Sequence, residues 1–234
     1  MESEYQFSLE MEPDFSLLRV QLQQGQKIYS EPSAMATMDP SIRLKSGLKG
    51  GIFTSIKRKL GGESLVINTF TADAPGEVSF APGPMGAVHH YALNGTELLL
   101  QSGAFVAHGE QVNLTSKWDG MKGFFSGQGL FLLKASGQGD LFFNSYGAIL
   151  EVDVRDGYVV DTGCVVAFEP TLQYRVAPLQ GLSVGSRVKT FLFGGEGLVC
   201  HFSGQGRLWI QTRSIQPFLR WVQPYRKVAR QGGD

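Results

Sequence analysis

The run Gly195-Glu196-Gly197-Leu198-Val199-Cys200, followed after a short turn by Gly206-Arg207-Leu208-Trp209-Ile210, decides how this 234-residue chain is read. Leucine, β-branched and aromatic residues bounded by glycine predict two strands joined by a tight hairpin turn. The pattern occurs twice more. Glu63-Ser64-Leu65-Val66-Ile67 leads to Gly76-Glu77-Val78-Ser79-Phe80, and Gly127-Gln128-Gly129-Leu130-Phe131-Leu132 leads to Gly139-Asp140-Leu141-Phe142-Phe143. Leu65, Leu130 and Leu198 correspond and are expected in the core. Glycine, 30 residues in all, is about twice its usual share of ~7%, and it recurs in register with these strands.

Working outward, a second hairpin is predicted upstream of each. Leu18–Gln23 turns at Gln24-Gly25, Leu98–Gln101 at Ser102-Gly103, and Leu150–Arg155 at Asp156-Gly157. The first and third alternate apolar and polar residues, as a half-buried strand does. Pro32, Gly109 and Gly163 then precede further apolar strands. The organisation that follows is an acidic arm over residues 1–14, β repeats over 15–89, 90–147 and 148–222, and a basic tail over 223–234 that is expected to fray. The one segment with helical spacing is 53–60. Units of this size cannot bury their apolar faces alone, so the three are expected to pack around a shared core as all-β sandwiches or rolled barrels.

Charge is balanced, 21 basic against 21 acidic residues, which removes the footprint of a general nucleic-acid binder. The acidic N-terminal stretch is unlike a secretory signal, and no run approaches the roughly eighteen apolar residues of a membrane-spanning helix. A cytoplasmic protein with at most peripheral membrane contact is expected. Cys164 and Cys200 lie in no metal-binding or redox spacing and read as buried thiols.

Leu60-Gly61-Gly62-Glu63-Ser64-Leu65, the Ala72–Pro82 stretch, and above all Phe193–Leu198 followed by Ser203–Arg213 identify a resemblance. Over residues 15 to 222 the chain resembles the "altered inheritance of mitochondria, number twenty-four" family. The resemblance implies a triplicated double-stranded β-helix with a pseudo-three-fold arrangement, similar in its unit to the tryptophan-RNA-binding attenuation protein, and assembly as a homotrimer. It carries over no catalytic residue, and its mitochondrial branch is associated with inner-membrane organisation.

Constellations that would support chemistry are weak. A cupin-like metal site needs converging His and carboxylate ligands, but the adjacent His89 and His90 point to opposite faces of a strand. His108 and Glu110 flank a turn at Gly109, and His201 stands alone. Neither cysteine sits in a basic pattern that would lower its pKa; Cys200 and His201 are sequence neighbours, whose side chains diverge on a strand. Glu151, Asp153 and Arg155 read as a solvent-facing stripe. No metal or cofactor is expected, and no enzyme.

A basic residue followed by aromatics recurs three times: Lys49 with Phe53, Lys122 with Phe124, and Lys189 with Phe193. The plain reading makes these Phe residues core plugs with Lys stems lying over them. The functional reading makes them contacts for a protein or an anionic lipid surface. The function expected is a non-enzymatic oligomeric scaffold or interaction protein. The alternatives are a small-molecule or peptide site between repeats and, third, a cupin-like metal enzyme.

Overall fold

A computed structural model describes residues 3–48, 66–117, 132–178 and 198–226. Among the described residues the chain is all-β apart from one α-helix and short 3₁₀ turns. In chain order the strands are β1 (Gln6–Glu10), β2 (Leu17–Leu22), β3 (Lys27–Ser30), β4 (Met35–Met38), β5 (Ile42–Leu48), β6 (Val66–Ala72), β7 (Gly76–Phe80), β8 (Val88–Gln101), β9 (Phe105–His108), β10 (Val112–Lys117), β11 (Leu132–Asn144), β12 (Ile149–Val154), β13 (Tyr158–Asp161), β14 (Val165–Phe168), β15 (Gln173–Pro178), β16 (Leu198–Ser203) and β17 (Gly206–Gln211). The helix α1 spans Ile215–Val222.

They form open sandwich sheets. One sheet runs β1-β2-β7-β4, a second β13-β16-β15, and the largest β12-β17-β14-β8-β11-β9-β3-β6-β5, with β10 on β11. Alternation places side chains as the sequence predicts in β2: Leu18, Val20 and Leu22 are buried. On the opposite face Arg19 and Gln21 donate to the two oxygens of Glu77 on the neighbouring strand, at 2.7 and 2.6 Å, a cross-strand polar pair of the kind that fixes register.

The predicted hairpins are not hairpins. β2 pairs with β7 while β3 pairs with β6, and β16 and β17 likewise lie in different sheets. The glycine turns are corners at which the chain crosses from one sheet to the other. Gly25 at φ 84° and Gly204 at φ 96° take the left-handed backbone such corners require. Alternation followed by x-Gly suits a corner and a hairpin equally, because both need a positive φ and a buried face on each side.

The middle segment also differs. Ser102-Gly103 belongs to a 3₁₀ turn between β8 and β9, and the stretch that pairs as β2 does is Val88–Leu93, ending at Asn94-Gly95. There β8 runs on without a break, as does β11 opposite it, with one register slip between Ser136 and Gln138. Gly109 accordingly precedes β10, and β9 lies before it.

Among the described residues the core falls into three clusters, each drawing residues from neighbouring sets of strands. Leu18, Val20, Phe70 and Phe80 pack with Val88 and Phe142. Leu93, Leu100, Leu133, Leu141 and Phe143 pack with Trp209. Val160, Phe168, Cys200, Phe202 and Leu208 pack with Leu99. Leu198 is only half-buried at the start of β16, where Val199, Cys200 and Phe202 carry the burial. Leu65, Leu130 and the segment 53–60 lie outside the described residues.

A helix forms where the sequence reading placed none. Residues 215–222, read as the end of a repeat running into a fraying tail, form α1. Ile215, Phe218, Leu219 and Val222 fall at helical spacing on one face, and Pro217 sits in the first turn, where its missing N–H costs no intrahelical bond.

Candidate functional site

Lys49, Phe53, Lys122, Phe124, Lys189 and Phe193, the candidate contact residues, all lie outside the described residues. What the described residues bring together is a cleft, a fastened N-terminal arm and an exposed helix.

The cleft lies where β8 meets β12 and β17, closed on one side by Glu12 and Pro13 of the N-terminal arm. It encloses about 310 Å³, with Val88, His89, Glu151 and Trp209 in its wall. Trp209 is fully buried on β17, and its indole N–H donates to Glu151 Oε2 at 3.1 Å. Its ring meets Tyr91 edge-on at 5.4 Å and Phe143 at 6.0 Å. The Arg207 guanidinium lies 5.1 Å from the Trp209 ring and 5.4 Å from that of Tyr91, held there by Glu169 at 2.8 Å. Burial pushes the His89 imidazole below its ordinary pKa, reinforced by His90 and Arg207 and opposed by Glu151, so the ring is neutral at pH 7. Glu151, read as part of a solvated stripe, thus holds the tryptophan at the cleft, while Asp153 pairs outward with Arg155 at 2.9 Å.

His90 points the other way, as adjacent strand residues must. Its Nε2 lies 2.7 Å from Asp140 Oδ1, and Asp140 Oδ2 accepts from Ser3 Oγ at 2.6 Å and from the Tyr5 N–H at 3.2 Å. A serine, a histidine and an aspartate in contact invite comparison with a hydrolase triad. The order is wrong: the carboxylate sits between serine and histidine, so no imidazole can take the serine proton. The cluster instead pins the arm, helped by Phe7, whose ring packs 5.0 Å from Phe142 and 4.6 Å from His90.

His108 is buried and stacked on Tyr29 at 5.0 Å, with its Nδ1 2.6 Å from the Gly109 carbonyl oxygen. Among the described residues no three His, Cys, Asp or Glu side chains converge as a metal-binding set. Cys164 and Cys200 are free thiols; burial pushes Cys200 up to about 12 and raises Cys164, Asp161 adding to the latter. A thiol with a raised pKa is a poor nucleophile at neutral pH.

The exposed helix was not found in the sequence reading. Trp221 is 65% and Tyr225 75% exposed, and Leu219 and Phe218 are exposed beside them. The helix buries none of its own residues, and Phe218 is steadied by Tyr146 at 5.9 Å. Arg213, Arg220 and Arg226 flank these aromatics, and the sequence has no acidic residue from Gly197 to Gly233. No helix among the described residues is long and apolar enough to cross a membrane.

Comparison with known proteins places this architecture. A family model described as Mitochondrial biogenesis AIM24 matches residues 7–213. An uncharacterised protein of Streptococcus pyogenes serotype M6 is 26% identical over 237 aligned positions, covering 96% of this chain and 92% of its own. The X-ray crystal structure of a Streptococcus pyogenes protein from the Northeast Structural Genomics Consortium shares the fold, with a TM-score of 0.78 at 24% identity over 95% of this chain and all of the other.

Proposed function

This chain belongs to the Mitochondrial biogenesis AIM24 family, and we propose that it is a non-enzymatic oligomeric scaffold, cytoplasmic, that makes peripheral contact with anionic membrane surfaces through α1. In this reading the body is three copies of a double-stranded β-helical unit in a pseudo-three-fold arrangement, assembled as a homotrimer, and its role is to present copies of α1 together.

The observation that carries the reading is the exposed apolar and aromatic face of α1 with arginines on either side. Monomeric soluble proteins keep contiguous apolar patches small unless they are used. Tryptophan and tyrosine suit the boundary between headgroups and acyl chains, and each basic residue contributes about 1 kcal/mol near an anionic surface. A single helix this short binds weakly, whereas several on one assembly bind together.

Co-sedimentation of the full chain with phosphatidylglycerol vesicles tests it. Binding is expected with those vesicles and not with phosphatidylcholine, and Trp221→Ser combined with Leu219→Ser is expected to remove it with the fold intact. Equal sedimentation of that variant and the unchanged chain would overturn the lipid reading, as would capture of a protein partner by α1 with no vesicle binding.

A second reading is favoured by the cleft. Its neutral His89 and aromatic wall beside Glu12 and Glu151 suit a small organic cation carrying an apolar group. A thermal-shift series with alkyl- and arylammonium ions is expected to raise the melting temperature, and Glu151→Gln to abolish the shift. A flat series would remove the cleft from consideration.

A further inference from the structure

Where the N-terminal arm closes the cleft, its residues Met11-Glu12-Pro13-Asp14-Phe15 are all exposed. Met11 is 73% and Phe15 67% exposed, yet the backbone that carries them is fixed. The Phe15 N–H donates to the Met11 carbonyl at 3.2 Å, and the N–H of Ser16 donates to the Gly86 carbonyl at 3.0 Å. Gly86 in turn bridges to Gly147, with the Ala87 N–H on the Gly147 carbonyl at 3.0 Å and the Gly147 N–H on the Met85 carbonyl at 2.8 Å. Met85, held on that bridge, is 49% exposed. Three large apolar side chains therefore stand on the two segments that give Glu12, Pro13 and Ala87 to the cleft.

Single exposed apolar residues are ordinary, but three of them on hydrogen-bonded backbone beside one cleft make a patch of the kind that soluble proteins keep for a partner. Two of the three are methionines, whose unbranched thioether chains adapt to apolar groups of varied shape.

Charge selects the partner. Glu10 is paired with Arg19 at 3.0 Å, whereas Glu12 and Asp14 meet no cation among the described residues. Glu151 across the cleft has 45% of its side chain exposed. The Arg207 guanidinium beside it is turned to Glu169, 2.8 Å away, and stands 3.8 Å from Glu151. Residues 1–16 include no lysine or arginine, and His89 is neutral at pH 7. This surface repels the anionic bilayer that α1 attracts. A polypeptide segment with basic residues beside apolar ones matches it in both respects.

We infer that the cleft, with Met11, Phe15 and Met85 beside it, is a docking surface for a cationic amphipathic segment of a partner protein. One apolar side chain of that segment enters the cleft, and its lysines or arginines meet Glu12, Asp14 and Glu151. The inference rests on the cleft reading above, with the cation supplied by a peptide side chain in place of a free ammonium ion, and it is independent of the lipid reading of α1.

The test is fluorescence anisotropy of a labelled leucine–lysine peptide with its leucines at helical spacing, titrated with the full chain, and of a second peptide in which glutamate replaces every lysine. Every titration is made on the Trp221→Ser, Leu219→Ser background, so that the basic helix offers the acidic peptide no second site. Saturable binding of the leucine–lysine peptide is expected, and none of the leucine–glutamate peptide. Adding Phe15→Ser with Met85→Ser is expected to weaken binding about tenfold or more, as loss of interface anchors does. Adding Glu12→Lys with Asp14→Lys is expected to abolish it and to confer binding of the leucine–glutamate peptide. All four of these side chains are exposed, so each variant is expected to keep its fold, checked by circular dichroism. Leucine–lysine binding that survives both pairs of substitutions overturns the inference. No peptide binding beside a thermal shift with free ammonium ions also overturns it and leaves the cleft reading standing, whereas absence of both ends the two together.

Discussion

Trp209→Ala is expected to destabilise the chain by about 3–5 kcal/mol, the range for removing a fully buried aromatic. Trp209 is on β17 but packs in the cluster of β8 and β11, against Tyr91, Phe143, Leu93 and Leu100. Its loss therefore opens a cavity at the seam between two sets of strands, where neither set can collapse into the gap alone. It also takes away a face of the Arg207 guanidinium and the donor to Glu151. At about 2–4 °C per kcal/mol for a chain of this size, the melting temperature should fall by roughly 10 °C. Trp209→Phe keeps most of the apolar surface and is expected to recover more than half of the loss. Since Glu151 is nearly half exposed, water replaces the indole donor and that part of the change is small. A calorimetric melt within a degree or two of the unchanged chain would mean that the seam is not held through this ring.

The strands were legible where burial alternates and obscure where it does not. β2 could be read residue by residue because Leu18, Val20 and Leu22 face one core and Arg19 and Gln21 face water. Leu98, Leu99 and Leu100 in β8 are buried on both faces, so period two is lost, and with it the register that would have aligned this stretch with β3. The exchange of hairpins for corners has a related cause. Local sequence specifies that the chain turns at Gly25 or Gly204, whereas the choice of partner strand depends on apolar faces far away in the sequence. α1 carried a readable signal in Ile215, Phe218, Leu219 and Val222, but its apolar face points outward, and basic residues around it resemble a tail. The cleft could not be anticipated: Glu12, His89, Glu151 and Trp209 come from four separate segments, and only the packing of β12 and β17 on β8 brings them together.

Asp140→Ala is expected to cost about 3 kcal/mol and to release the N-terminal arm, because removing one partner of a buried polar cluster leaves the others unpaired. The Asp140 carboxylate is buried, and without it His90 Nε2, Ser3 Oγ and the Tyr5 N–H lose their common acceptor. Phe7 then loses its anchor against Phe142. Limited proteolysis should cut residues 3–16 faster in the variant, while the strands beyond β2 stay protected.

The pH dependence has a defined sign. Burial pushes the Asp140 carboxyl up, but hydrogen bonds from His90, Ser3 and the Tyr5 N–H, with the charge of His90, outweigh it and hold the group below its ordinary 3.8. A depressed folded value means that the contribution is complete above the unfolded value and is lost as pH falls through the folded one. Glu4 nearby behaves oppositely: burial raises it, against hydrogen bonds from the Glu110 N–H and Tyr5, so its protonation relieves the arm before Asp140 takes up a proton. Release of the arm by acid is therefore expected only below about pH 3.8 in the unchanged chain, and at every pH in Asp140→Ala. Cleavage of the arm at equal rates in both proteins at neutral pH would show that β1 is held by its ladder to β2 and not by this carboxylate.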